Sequence, residues 1–198
     1  MMRYFAFLFL LLSFSCNSKS NFTISGQLPD KTYDGEKIYL VPIENAIKER
    51  VDSAVIQNGK FSFEGQILTP EIYVIRAKPV LRYNLEELLV VREPGTLTVR
   101  LDKSSSVSGT PLNDSLQYWK ERKMRFDFVN AELVKQFSDA NDSLKLDLKQ
   151  RAEMLNNDAT NFHFSFVKNN KENIVGQFVR KIMSGSFTEE QRQMLNKR

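Results

Sequence analysis

The sequence predicts a segregated α+β protein: an N-terminal antiparallel β-sandwich or partly closed barrel, followed by an α-helical hairpin and short C-terminal helices. Three observations predict it. Apolar and polar residues alternate at a period of two in runs between Phe22 and Val107. Turn-forming residues punctuate that stretch at short intervals. Past Pro111 the apolar spacing changes to threes and fours, the mark of one helix face.

The chain opens with a segment that is not part of the fold. Arg3 precedes an unbroken apolar run from Tyr4 to Leu12, then Ser13-Phe14-Ser15 and Cys16. A charged start, a short apolar middle and small residues at the cut describe a signal peptide, assigned to residues 1–15. A membrane-spanning helix needs roughly 20 apolar residues, and Tyr4 to Phe14 ends well short of that before polar residues follow. Leu12-Ser13-Phe14-Ser15-Cys16 resembles the lipoprotein box, departing from it at Ser13, where an aliphatic residue is usual. Cys16 is the chain's one cysteine. An odd cysteine in an exported protein calls for an explanation, and lipidation of Cys16 supplies it. Stable anchoring takes more than one acyl chain, which the diacylglyceryl plus amide-linked modification of such lipoproteins provides. The expected address is the envelope of a Gram-negative bacterium, lipid-anchored, periplasm-facing or on the outer-membrane surface. Residues 16–21 form the lipidated cysteine and a polar tether.

Removing residues 1–15 leaves 183 residues and lowers the formal charge from +4 to +3. So mild a balance excludes a dedicated nucleic-acid binder. With no second cysteine, an intramolecular disulfide is ruled out and the fold rests on burial.

Residues 22–110 read as the β-domain. Phe22, Ile24 and Gly26 alternate with Thr23, Ser25 and Gln27; Ile38 and Leu40 flank Tyr39; Phe61 and Phe63 flank Ser62; Leu97, Val99 and Leu101 alternate with Thr98 and Arg100. Each pattern suits a strand with one buried face. Asp34-Gly35, Asn58-Gly59, Gly65, Pro70, Pro94-Gly95 and Ser108-Gly109 are placed between the runs, and Asn58-Gly59 suits a tight hairpin turn. Seven or eight strands are expected. A single sheet that large would leave an apolar face bare, hence a sandwich or barrel.

Residues 111–198 read as helical. Leu112, Leu116, Trp119, Phe126, Val129, Leu133 and Phe137 form one stripe, N-capped by Asn113 or Asp114. After Ser138–Asp142 a second stripe runs through Leu144, Leu148, Ala152, Leu155, Ala159, Phe162 and Phe166, and the two helices are expected to pair. A shorter helix carries Ile174, Phe178 and Ile182. Thr188 to Gln191 forms a capping box for the last helix.

Several constellations bear on chemistry. His163, the sole histidine, has neither a second ligand residue nor a nucleophile beside it, so a structural or surface role is expected. Lys120, Arg122, Lys123 and Arg125 form either a basic patch or a solvated helix face. Glu86-Glu87 and Glu189-Glu190 are adjacent rather than facing and do not suit acid–base work. No catalytic residue, metal site or cofactor is expected. Asp52-Ser53-Ala54, Asp114-Ser115-Leu116 and Asp142-Ser143-Leu144 resemble the acceptor motif of a periplasmic O-glycosylation system. This marks Ser53, Ser115 and Ser143 as candidate acceptors, although each triplet also has a local structural explanation.

Phe22-Thr23-Ile24-Ser25-Gly26, Lys37-Ile38-Tyr39-Leu40, Val51-Asp52-Ser53-Ala54, Asn58-Gly59-Lys60-Phe61-Ser62-Phe63 and Val107-Ser108-Gly109-Thr110-Pro111-Leu112-Asn113 occur in that order. The set is similar to domain-of-unknown-function family 4369 (DUF4369), the β-rich domain that precedes the thioredoxin-like domain of many Gram-negative envelope lipoproteins. The resemblance implies the family's non-catalytic module. The Trp-Cys-x-x-Cys redox motif of the thioredoxin-like domain does not occur before Arg198, and disulfide exchange needs a thiolate. The expected function is a membrane-anchored binding or interaction module. The alternative is an accessory or truncated member of a periplasmic thioredoxin-like disulfide redox system. Expected partners are the membrane, through the lipid, and an envelope protein such as a thioredoxin-like one; no nucleic acid.

Overall fold

The computed structural model describes residues 19–76 and 87–196. Residues 1–15, read above as a signal peptide, together with Cys16 and Glu86, lie outside the described residues. Eight strands are present among them: β1 (Ser20–Gln27), β2 (Lys37–Pro42), β3 (Asp52–Val55), β4 (Lys60–Ile67), β5 (Glu71–Arg76), β6 (Leu88–Arg92), β7 (Gly95–Arg100) and β8 (Ser106–Ser108). They form two four-stranded sheets, ordered β4-β1-β7-β8 and β3-β2-β5-β6. The sheets face each other as a sandwich, with no closed barrel. Their inner faces meet in one core that includes Ile24, Ile38, Leu40, Ile75, Val90, Leu97 and Val99. All pairings are antiparallel except β1–β7, which is parallel, with Ile24 beside Leu97. That parallel neighbour is possible because the chain builds the whole second sheet between the two strands, the long crossover that parallel pairing requires.

The Asn58-Gly59 turn forms as its sequence dictates. Both residues take positive φ, 54° and 68°, and Gln57 and Lys60 exchange backbone hydrogen bonds of 2.9 and 3.0 Å. The expected hairpin does not extend beyond that bridge. β3 pairs with β2 and β4 pairs with β1, so the turn is a corner between sheets. Asp34 holds it by accepting the N–H groups of Asn58 (2.9 Å) and Gly59 (2.7 Å).

Gly65 does not punctuate: it lies inside β4, opposite Phe22 of β1, just as Gly26 lies opposite Phe61. A Cβ on Gly65 would sit 2.9 Å from the Phe22 ring, and one on Gly26 would sit 1.9 Å from the Phe61 ring. Each ring covers the glycine of the neighbouring strand, which pins the register of the β1–β4 pair.

Four helices follow: α1 (Pro111–Ser138), α2 (Asp142–Asn169), α3 (Ile174–Met183) and α4 (Glu189–Asn196). They pack on the outer face of the second sheet. Ile72 of β5 and Val91 of β6 join Leu116, Trp119, Phe166, Val167, Val175 and Val179 in a second core. β5 and β6 are therefore covered on both faces, which explains their unbroken apolar runs.

Three helical details differ from the sequence reading. The N-cap position of α1 is Thr110, not Asn113 or Asp114, because Pro111 at the first helical position sets the start earlier. Asp114 accepts the Gly109 N–H at 2.9 Å, while Asn113 is buried against β6. In α3 the face that enters the core is Val175 and Val179, with Ile182 left exposed. In α1 the sequence stripe is buried only at Leu116 and Trp119; Val129 is exposed. The capping box of α4 forms as read, with Thr188 N–H donating to Gln191 at 3.1 Å and Gln191 N–H to Thr188 Oγ1 at 3.2 Å.

Candidate functional site

Most residues singled out in the sequence are not brought together. Cys16 lies outside the described residues. Ser53 is exposed on β3 and Ser143 is exposed in the first turn of α2. Ser115 is half-buried and donates to Asn170 Oδ1 at 3.3 Å. Lys120, Arg122, Lys123 and Arg125 of α1 do not form a patch. At 100° per residue their side chains spread around the helix, and each meets different company. Lys120 donates to the Ser105 carbonyl, and burial lowers its pKa. Arg122 lies over the rings of Phe126 (5.3 Å) and Phe162 (5.4 Å). Lys123 pairs with Asp127 at 2.6 Å, and Arg125 is exposed. Glu87 pairs with Arg76 at 3.5 Å and Glu189 with Arg192 at 3.2 Å.

His163 is buried between α1 and α2. Its Nδ1 accepts the Trp119 Nε1–H at 3.1 Å, so the neutral ring carries its proton on Nε2. Burial, reinforced by the Lys123 charge and opposed by Asp127, holds its pKa below the ordinary value. A cavity of about 220 Å³ adjoins it, lined among others by Lys123, Asp127, Asn130 and Thr160. Among the described residues no three His, Cys, Asp or Glu side chains lie close enough to hold a metal ion.

A larger cleft lies elsewhere, at the seam between sandwich and helices. It encloses about 440 Å³, within the range of small-ligand sites. One wall is the end of the second sheet: Pro42 to Asn45 after β2, with Arg50, Glu71 and Ile72. The other is α3, through Ile174, Gln177, Phe178, Lys181 and Ile182. Ile174, Phe178 and Ile182 are the stripe that the sequence places on this helix. They recur every fourth residue, adjacent to Val175 and Val179, so α3 is apolar over two faces. Val175 and Val179 are buried in the core, while Ile174 and Phe178, half-buried, pack against it and also wall the cleft.

The polar rim is a network centred on Glu71. Its Oε2 accepts from Arg50 (2.8 Å), Arg92 (3.2 Å) and the Tyr73 hydroxyl (3.0 Å). Arg50 also donates to the Glu44 carbonyl at 3.2 Å, and the Glu71 charge raises its pKa. Burial raises the pKa of Tyr73, with the neighbouring arginines opposing; the Arg92 guanidinium lies 4.4 Å from the centre of the Tyr73 ring. Across the mouth, Lys181 of α3 reaches Glu44 of the sandwich at 3.0 Å. The lining itself holds two cations and two anions, Arg50 and Lys181 with Glu71 and Glu44, and Arg92 stands behind them on Glu71.

Sequence reasoning missed Arg50, Glu71, Gln177 and Lys181. Their positions depend on long-range packing; the one local signal was the surplus apolar face of α3.

No curated protein and no solved structure matches the chain. Residues 22–116 match a family model described as a domain of unknown function, DUF4369. The matched segment takes in the whole sandwich from Phe22 and the start of α1, including Asn113 and Leu116, by which that helix docks on the sheet. The segment from Phe22 to Leu116 is a DUF4369 domain, and the remainder of α1, with α2 to α4, extends beyond it.

Proposed function

We propose that the chain is a lipid-anchored lipoprotein of the Gram-negative envelope whose folded part is a non-catalytic binding module, with the cleft between the second sheet and α3 as its ligand seat. The observation that carries the reading is the cleft's composition: an apolar wall of Ile72, Ile174, Phe178 and Ile182 beneath a rim of mutually paired charges. Binding gains come from burying apolar surface, about 25 cal/mol per Å². The rim charges are already paired with one another, which leaves none free to hold an ion, so the cleft suits a neutral or zwitterionic ligand with an apolar body.

Gln177 is exposed on α3 and lines the cleft, so enlarging it fills the cleft without disturbing the core. The neutral fluorophore N-phenyl-1-naphthylamine should bind the purified chain saturably, and Gln177→Trp should abolish the signal while leaving the melting temperature unchanged. Non-saturable enhancement, or equal binding by the variant, would remove the cleft from consideration. Affinity purification of the anchored protein from membranes would then identify what it holds.

A further inference from the structure

The outer half of the helical hairpin is an arm with an unpartnered face. α1 passes back alongside β8, with Lys120 reaching Ser105. Ser106 stands opposite Arg100, which lies beside Gln27, the last residue of β1. The helix therefore leaves the sandwich at the end opposite Ser20. From Lys120 to Ser138 it runs on for about 27 Å. The buried residues of α1 end at Trp119, and of α2 only Leu148 is buried before Thr160.

On α1, Met124, Phe128, Ala131, Lys135 and Ser138 recur at alternating spacings of four and three, and all are exposed. That is the spacing of a coiled-coil seam, apolar at Met124, Phe128 and Ala131 and polar at Lys135 and Ser138, with Asp127 and Val134 flanking it. Leu133 and Phe137, half-buried, lie on the other side of the helix. Phe128 and Val134 are the two most exposed large apolar residues among the described ones, at 67% and 63%.

The geometry points to a second copy of this chain as the occupant of that seam, with the two α1 arms antiparallel and crossing at Ala131. The register is set by the sequence itself. Antiparallel pairing about Ala131 places Phe128 opposite Val134 of the other copy, and Asp127 opposite Lys135, each contact made twice by the two-fold axis. A parallel pairing would set Asp127 against Asp127 and Lys135 against Lys135, like charges that disfavour it. Two hairpins joined this way form a four-helix bundle, the arrangement in which paired helices bury a second face.

The test uses the full chain in its membrane. Ala131→Cys, treated with a short bismaleimide, should give a cross-linked dimer, and the unsubstituted chain should not. Ser138→Cys should remain monomeric, because antiparallel arms hold the two Ser138 positions about 21 Å apart along the seam. In detergent, Asp127→Lys should weaken the dimer roughly tenfold, and Asp127→Lys with Lys135→Asp should restore it. Cross-linking at Ser138 instead of Ala131, a charge reversal without effect, or a monomer at all concentrations by sedimentation would each overturn the proposal.

Discussion

Asn113 shows how much one side chain carries. It is fully buried in the first turn of α1, and its carboxamide closes the edge of β6: Oδ1 accepts the Val91 N–H at 2.8 Å while Nδ2 donates to the Val91 carbonyl at 2.7 Å. The same Nδ2 reaches Glu93 (3.0 Å) and Thr110 (2.9 Å), and the Asn113 N–H donates to Glu93 at 2.9 Å. A side chain thus stands in for a neighbouring strand and covers an edge that would otherwise invite foreign pairing. Asn113→Ala leaves the Val91 groups unsatisfied at about 1–3 kcal/mol each. A loss of about 3 kcal/mol would lower the melting temperature by roughly 6–12 °C, readable by calorimetry; a change within a degree or two would show that water replaces the carboxamide. His163 gives a second prediction. Its folded pKa is lowered, so between that value and the ordinary one near 6.5 the unfolded chain binds the extra proton. Its contribution to stability is therefore complete above about pH 6.5 and declines as the pH falls toward the folded pKa. Urea midpoints should drop between pH 7.5 and 5. His163→Gln, which keeps an acceptor for Trp119, should flatten part of that drop; an unchanged slope would assign the acid sensitivity to other groups.

At the scale of elements, what the sequence made legible follows from period and turn chemistry. β1, β2, β4 and β7 alternate because one face meets the core, and the α4 capping box is a local exchange between Thr188 and Gln191. What stayed illegible depended on neighbours distant in the chain. β5 and β6 are apolar on both sides because helices cover their outer face, and a short continuous apolar run has no period to read. Gly65 resembled a turn residue because nothing local reveals the Phe22 ring above it. Of the candidate site, the α3 stripe was visible in the sequence but its role was not; whether an apolar face is filled by protein or left as a cleft wall is decided by the opposite surface. The Arg50–Glu71–Arg92 rim joins residues that the folded sheet alone brings together.

At the scale of the molecule, the prediction concerns attachment. No helix among the described residues is long and apolar enough to cross a membrane, and the proposed anchor rests on the sequence ending in Cys16. Cys16→Ser should abolish incorporation of labelled palmitate and leave an uncleaved or soluble species. Continued labelling would place the lipid elsewhere. The two halves are also tied at both extremes, by Asn113 at the start of α1 and by the Glu44–Lys181 bridge at α3. α1 runs without a break from the Asn113 contacts to Ser138, so it behaves mechanically as a lever whose short end is clamped to the sheet edge. A load applied at the far end of the hairpin is delivered as torque on β6 rather than absorbed by a hinge. Force and orientation would therefore pass through the molecule as through a single stiff strut, and the first contacts to yield under tension would be those between Asn113 and β6.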